Sequence, residues 1–463
     1  MTLCVGRDSS HETDKWIKKE KSGRMKKVVK FGGSSLASAE QFKKVGDIIR
    51  EDESRRYVVP SAPGKRNSND TKVTDLLYKC YGMLQAGRPY LKVLEQLRVR
   101  YAEIIRGLGL KLSLAKEFEQ IRKDMESDAG EMYVISRGEY LNGKIMAAYL
   151  GYEFIDAANV VRFKDDETLD AAETYKLIRA QLEVHDRAVI PGFYGSKKNG
   201  EVVTFSRGGS DITGSLVARA VKADIYENRT YVSGFMVADP RIVKDAQVIH
   251  TITYSELREL AYMGASVMHE DAIFPVSQVG IPINIRNTND PSAEGTMIVE
   301  RTSRISKYTI TGIAGMKGFV SLTLEKDKMN TAIGFCRKAL TAFEESGISV
   351  EHMPSGIDTM SVIVRQKDFA EKEQQVISRI EELCQPDHMD IESDLALIAV
   401  VGRGMRSTRG TAGRLFSALA HSHINIKMID QGSSELNIII GVASVDFDEA
   451  IKAIYSVFVD ANL

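Results

Sequence analysis

Residues 30 to 35 read KFGGSS. The hexapeptide follows the apolar, strand-like KKVV and runs into ASAEQFKKVGDII, whose apolar residues recur at helical spacing. From Met25 to about residue 300 the same joint is repeated. Short β-branched runs (VVKF, RYVVP, AVIPGF, EVVTF, INIRN) alternate with helical stretches such as DETLDAAETYKLIRAQLEVHD and ITYSELRELAYMGASVMH. Strands alternating with helices predict an α/β unit, a mostly parallel open sheet sandwiched by helices. Ligands of such sheets sit outside the carboxyl ends of the strands. KFGGSS, PSAPGK and PGFYG each stand where a strand gives out, so all three are expected on one edge. Residues from about 80 to 130 read as a helical pair forming a lobe over that edge.

Composition narrows the function classes. A chain of 463 residues has room for two to four domains. Its 62 basic and 63 acidic residues leave a net charge of −1, so no overall field draws it to nucleic acid or an anionic membrane. Small molecules and other protein chains are the expected partners. Cys4, Cys80, Cys336 and Cys384 lie far apart without a C-x-x-C pair, which reads as free thiols in a reducing cytoplasm and no structural metal. No apolar run approaches the roughly 20 residues that span a bilayer. Residues 1–24 are polar and mixed in charge, and are expected to form a mobile extension ahead of Met25.

The last third contains a repeat. At an offset of 76 residues, LTAFEESGISVEHMPSGIDTMSVIV aligns with FSALAHSHINIKMIDQGSSELNIII, matching Ile348 to Ile424 and Met360 to Leu436. Each copy reads as a βαββαβ unit with one helix-covered sheet face. A unit of this size has a small core, so two copies are expected to pack together or against a second chain. Such a module behind an α/β domain is either regulatory or a plain packing unit.

Three glycine motifs carry candidate chemistry. In KFGGSS, Gly32 and Gly33 can bring backbone N–H groups to an anion, the following helix start adds favourable dipole, and Lys30 adds a point charge. The motif lacks the G-x-x-x-x-G-K-[ST] pattern, and alone it reads equally as a tight turn. In TFSRGGSDIT, residues 204–213, Arg207 offers a fork that suits a carboxylate, with Ser210 and Asp211 beside it. Ser210 or Asp211 can equally be a helix N-cap. In VISRGEYLNGK, residues 134–144, Glu139 stands at a turn, either to receive an ammonium or simply exposed.

Taken in order, K-F-G-G-S-S, S-R-G-E, P-G-F-Y-G, S-R-G-G-S-D, A-D-P-R and the tandem repeat ending M-I-D-Q-G-S-S-E-L-N-I resemble the aspartate kinases from Met25 to Leu463. The resemblance implies a catalytic domain of the amino-acid kinase, carbamate kinase-like fold over residues 25–302. Two ferredoxin-like ACT domains would follow, over 303–388 and 389–463, one inserted between the strands of the other. It also implies phosphorylation of L-aspartate by Mg²⁺-bound ATP to 4-phospho-L-aspartate, the first step toward lysine, threonine and methionine, in the cytoplasm.

Carried over by position, Lys30 contacts the transferring phosphoryl group and Asp211 organises the same site. Arg207 with Ser210 grips the substrate carboxylate and Glu139 receives its ammonium. Phe193, Thr74 and Ser61 are further substrate or phosphate-side contacts. Gly32, Gly33, Ser34, Thr230, Tyr231, Arg241 and Ser266 fall at nucleotide positions. Tyr231 replaces an acid in the family's T-D-V, and Ser266 and Glu270 replace Lys and Pro, which leaves Arg241 as the nucleotide cation. In the first repeat, Met329, Phe335, Ser349, Val350, Glu351 and Ser355 match the effector region, with Glu351 toward an effector ammonium; Met329 and Phe335 read equally as packed core. The implied effector is L-lysine and the implied assembly a homodimer or dimer of dimers through the ACT domains. A kinase for another small acid such as glutamate, and a non-catalytic amino-acid sensor, are the alternatives.

Overall fold

The structure, a computed structural model, describes residues 25–460 apart from 207, 266, 267, 269 and 303–307. The expected extension 1–24 lies outside the described residues. Contacts divide the chain into two compact units, Met1–Phe235 with His250–Tyr254 and Val267–Ser303, and Met236–Ile249 with Ser255–Ser266 and Arg304–Leu463. A single cut at residue 302 does not reproduce that division. Met236 forms an isolated bridge with Val248. The N–H of Ile313 donates to the carbonyl of Val237 at 2.7 Å, so backbone bonds tie the A-D-P-R segment into the second unit.

The first unit is built on β1 (Lys27–Phe31), β2 (Arg55–Pro60), β3 (Glu153–Phe154), β4 (Ala188–Val189), β5 (Tyr194–Ser196), β6 (Val202–Thr204), β7 (Ile225–Thr230), β8 (Thr251–Thr253), β9 (Ile283–Asn287) and β10 (Thr296–Val299). Its eight-stranded sheet runs β3-β4-β2-β1-β7-β9-β10-β8. Pairing is parallel from β3 through β9, and β10 alone pairs antiparallel with β9. Every residue of β1 is buried, as expected of a parallel strand covered on both faces. The EVVTF run leaves this sheet. β6 pairs antiparallel with β5 as a separate ribbon, because only KKNGE lies between them, too short for a crossover. The expected helical pair is three helices, Val73–Gln85, Leu91–Gly107 and Ala115–Glu126, since Gly87, with φ +64, and Pro89 break the first stretch.

The second unit carries β11 (Gly312–Glu325), β12 (Val350–His352), β13 (Thr359–Arg365), β14 (His388–Val401), β15 (Met428–Asp430) and β16 (Asn437–Ala443), in the order β12-β13-β11-β14-β16-β15. β11 and β14 pair antiparallel along their length, with a bulge near Lys317–Ser321. β13 uses only Phe319–Glu325 of β11, and β16 only Leu395–Val401 of β14. Each long strand therefore serves both βαββαβ modules, and the expected boundary at 388/389 falls at the start of a shared strand. In the first module, Phe335, Ala339 and Phe343 on one helix and Val376 and Ile380 on another pack with Val320, Leu322, Val362 and Val364. The offset of 76 relates the helices Phe335–Glu345 and Thr411–His421, whereas β13 and β16 are 78 apart. A slip of two residues keeps every side chain on its own face, so the apolar match between the copies survives it.

Candidate active site

Cross-strand register assembles the centre of the site. β1 and β7 pair with Lys30 opposite Asn228. Side chains alternate along a strand, so these two stand side by side on one face of the sheet. Lys30 Nζ lies 2.6 Å from Asp211 Oδ1, and Asn228 donates to that same oxygen at 2.8 Å. Neither contact uses Oδ2. Asp211 is in the first turn of the helix Gly209–Val221, whose N-cap is Gly208 at φ 60, so neither Ser210 nor Asp211 is the cap. The Tyr226 hydroxyl donates to the Asp211 carbonyl at 3.0 Å, seating that turn on β7.

The strand ends converge as expected. Gly64 N–H donates to Gly33 O at 2.7 Å, and Ser61 N–H to Phe31 O at 3.1 Å, which staples PSAPG onto KFGG. The approach is so close that a Cβ on Gly33 would lie 2.7 Å from the Ala62 carbonyl oxygen. PGFYG joins through Gly192 N–H to Pro60 O at 3.1 Å, and a Cβ on Gly192 would meet Ser210 Oγ at 2.6 Å. Phe193 holds φ +81, a region few side chains adopt; its N–H donates to Thr213 Oγ1 at 3.2 Å. Ser210 is buried, while Ser61 and Thr74 are half-buried, Thr74 in the first turn of Val73–Gln85. Arg207 lies outside the described residues.

Two local expectations change. The glycine pair does not open the long helix: a one-turn 3-10 helix, Gly33–Leu36, intervenes, and Ala39–Glu51 is capped by Ser38, which accepts from Gln41 N–H at 3.4 Å. Glu139 is at no turn and is not exposed. It sits inside the helix Glu131–Leu150, only 5% exposed, because Gly138 and Gly143 are packed points rather than breaks. A Cβ at either would come within 3.0 Å of a neighbouring side chain. Burial pushes the Glu139 carboxyl up to about 8, against a downward pull from the Ala62 N–H and the charge of Arg137. Its Oε2 is buried with no hydrogen-bond partner. Asn142, one helical turn on, donates to Ser61 O at 2.6 Å. The sequence reading did not single out Asn142 or Asn228, and the signal in each case is three-dimensional.

Among the nucleotide positions, Gly32 and Gly33 are half-buried, Ser34 is exposed, and Thr230 ends β7 with its ring-like neighbour Tyr231 exposed at 69%. Gly32 N–H donates to Arg229 O at 3.0 Å, tying the phosphate-side loop to β7. Arg241 belongs to the second unit, where it is ion-paired with Asp239. Ser266 lies outside the described residues. Among the described residues no group of three or more His, Cys, Asp or Glu is placed to hold a metal, and no helix is long and apolar enough to cross a membrane.

In the second unit Met329 and Phe335 are in the packed core of the first module. Ser349 and Ser355 are exposed and Val350 is half-buried. Glu351 is engaged: Arg365 Nε donates to one carboxylate oxygen at 2.7 Å, and the Tyr262 hydroxyl donates to the other.

Comparison with known proteins adds an independent line. Residues 25–287 match the model of the amino acid kinase family, and residues 398–458 match an ACT domain. Aspartokinase 3 of Bacillus subtilis is 42% identical over 93% of this chain and 98% of its own length. The crystal structure of Clostridium acetobutylicum aspartate kinase superposes with a TM-score of 0.85 at 49% identity, covering 93% of this chain and 99% of that one. Escherichia coli aspartokinase III, solved with aspartate and ADP and also with lysine and aspartate, gives TM-scores of 0.70 and 0.69 at 25% identity, covering 93% of this chain and 99% of the solved one in both cases.

Proposed function

The chain belongs to the amino acid kinase family, as an aspartate kinase, and on that premise we propose that Lys30 and Asp211 form the centre at which the γ-phosphoryl group of Mg²⁺-bound ATP passes to the side-chain carboxylate of L-aspartate. One observation carries the reading: the Lys30–Asp211 contact, at 2.6 Å, where the ends of β1 and β2 meet the start of Gly209–Val221. A carboxylate oxygen attacks the γ-phosphorus, the bond to the β,γ-bridging oxygen breaks, and its electron pair leaves with ADP. The nucleophile is already ionised near neutral pH, so no general base is needed. Catalysis then rests on positioning and on charge stabilisation. Lys30 supplies positive charge to the phosphoryl oxygens and Asp211 fixes where that charge sits. The N–H groups of Gly33 and Ser34 line the phosphate side, with Gly32 N–H held by the Arg229 carbonyl, and Mg²⁺ enters with the nucleotide as part of the substrate.

Substrate selection follows from opposite charges. Glu139 takes the ammonium of L-aspartate, and Arg207 with Ser210 takes a carboxylate, while Ser61, Thr74 and Phe193 close around the carbon chain. Thr230 and Tyr231 border the nucleoside. The ACT modules bind L-lysine between Ser349, Val350, Glu351 and Ser355, over a floor that includes Met329 and Phe335. Two chains associate through these modules, in the cytoplasm, and the product feeds lysine, threonine and methionine synthesis. The lysine-bound and ADP-bound forms of the E. coli relative support this reading of effector and nucleotide.

The test is ADP release from Mg²⁺-bound ATP with L-aspartate or L-glutamate, with and without L-lysine. Aspartate-dependent release suppressed by lysine is expected. Release driven equally by glutamate, or indifferent to lysine, overturns the substrate or the effector assignment respectively.

A further inference from the structure

We propose that Asn228 is a positioning residue of the phosphoryl-transfer site, holding the Asp211 carboxylate so that it presents Lys30 to the reacting phosphate. The proposal rests on the assignment of Lys30 and Asp211 made above.

Three features single Asn228 out. It is the register partner of Lys30 across β1 and β7, so the two side chains rise from the same face of the sheet toward the same helix turn. It is only 3% exposed, and its amide donates to Asp211 Oδ1 at 2.8 Å, the oxygen that Lys30 meets at 2.6 Å. It is also neutral. A second cation at this position would compete with Lys30 for the carboxylate, and an anion would repel it. An amide adds a donor and no charge, so Lys30 keeps the whole carboxylate as its counter-ion. With Oδ1 fixed from two directions, the carboxylate cannot rotate freely, and Lys30 cannot leave its place without breaking a bond on a restrained partner. That restraint is the preorganisation that charge stabilisation requires.

The strand's other face does different work. There Glu227 pairs with Arg55 at 3.1 Å and with Arg229 at 3.0 Å. The charged or titratable groups meeting Asn228's side of the strand are Lys30 from β1, Asp211 from the helix, and Tyr226 from β7 itself.

The experiment is steady-state kinetics at saturating aspartate and Mg²⁺-bound ATP, across about pH 6 to pH 9, for Asn228→Ala and Asn228→Asp. Asp211→Ala serves as a reference, and each variant is melted alongside. Asn228→Ala is expected to lose on the order of ten- to a hundredfold in kcat, with both KM values within about threefold of the parent. Asn228→Asp is nearly isosteric and places a second carboxyl beside Asp211. A proton shared between the two carboxyls restores the missing donor, so its kcat relative to the parent is expected to rise at least about tenfold as pH falls over that range. A merely structural role would lower the melting temperature and leave this pH signature absent. If Asp211→Ala is inactive while Asn228→Ala and Asn228→Asp keep parental kcat at every pH, the proposal is overturned and the Asp211 assignment stands. If Asp211→Ala itself turns over normally, both fail together.

Discussion

Replacing Glu139 by Gln tests the buried carboxyl through its own proton. In the free protein its value is raised to about 8, so the folded chain retains a proton that an unfolded glutamate has already lost above about pH 4.5. A raised carboxyl value costs stability as pH climbs, and the cost levels off only above the folded value. Between about pH 6 and pH 9 the parent should lose about 2–3 kcal/mol relative to Glu139→Gln, which has no proton to lose. Ligand binding runs the other way. An ammonium pairs with the ionised form, so below the folded value aspartate must displace a proton, and affinity should rise as pH rises. From about pH 6.5 to pH 8.5 the gain is roughly ten- to thirtyfold. Calorimetric titration of aspartate in buffers of differing ionisation enthalpy reads both the affinity and the proton released. Glu139→Gln should bind at least about tenfold more weakly at the upper pH, with no proton release and a flat profile. Parental binding that is independent of pH and releases no proton, or a variant that binds as tightly as the parent, refutes the assignment of Glu139 to the ammonium.

Other perturbations give distinct readouts. Gly64→Ala puts a Cβ about 2.6 Å from the Gly33 carbonyl carbon; backbone must move, and a loss of about 1–3 kcal/mol in melting together with at least a tenfold fall in kcat is expected. Tyr262→Phe frees one oxygen of Glu351 from a competing donor, and calorimetry should show lysine binding tighter by roughly tenfold; unchanged affinity would remove Glu351 from the effector site. Phe343→Ala opens a hole in the core of the first module, where the ring is fully buried, and should cost about 3–5 kcal/mol by chemical denaturation.

What the sequence discloses depends on how local the cause is. The strand-glycine-helix joint at KFGG is written in adjacent residues, and parallel topology then places KFGGSS, PSAPGK and PGFYG at one edge without further information. The repeat is legible for a related reason, since a two-residue slip between copies leaves the apolar faces in phase. The β5–β6 ribbon is local as well, written in the KKNG turn between two short β-branched runs. Glu139 was misplaced because Gly138 reads as a break along the chain; only the neighbours Ala62, Leu77 and Val73, brought from elsewhere, explain a glycine inside a helix. Asn228 is hidden more deeply, because its meaning lies in a register between strands almost 200 residues apart. The engagement of Glu351 by Arg365 and Tyr262 is likewise a tertiary fact, one that the resemblance to a family does not carry.

The central claim is that an acyl phosphate of aspartate forms beside Lys30. Trapping with hydroxylamine measures it directly, because an acyl phosphate yields a hydroxamate, which ferric iron turns into a coloured complex, while an idle ATPase yields none. With Mg²⁺-bound ATP and L-aspartate the parent chain should form hydroxamate in step with ADP release, and Lys30→Ala, folded by its melting curve, should form it at least about a hundredfold more slowly. Hydroxamate formed by Lys30→Ala at the parental rate would contradict the account.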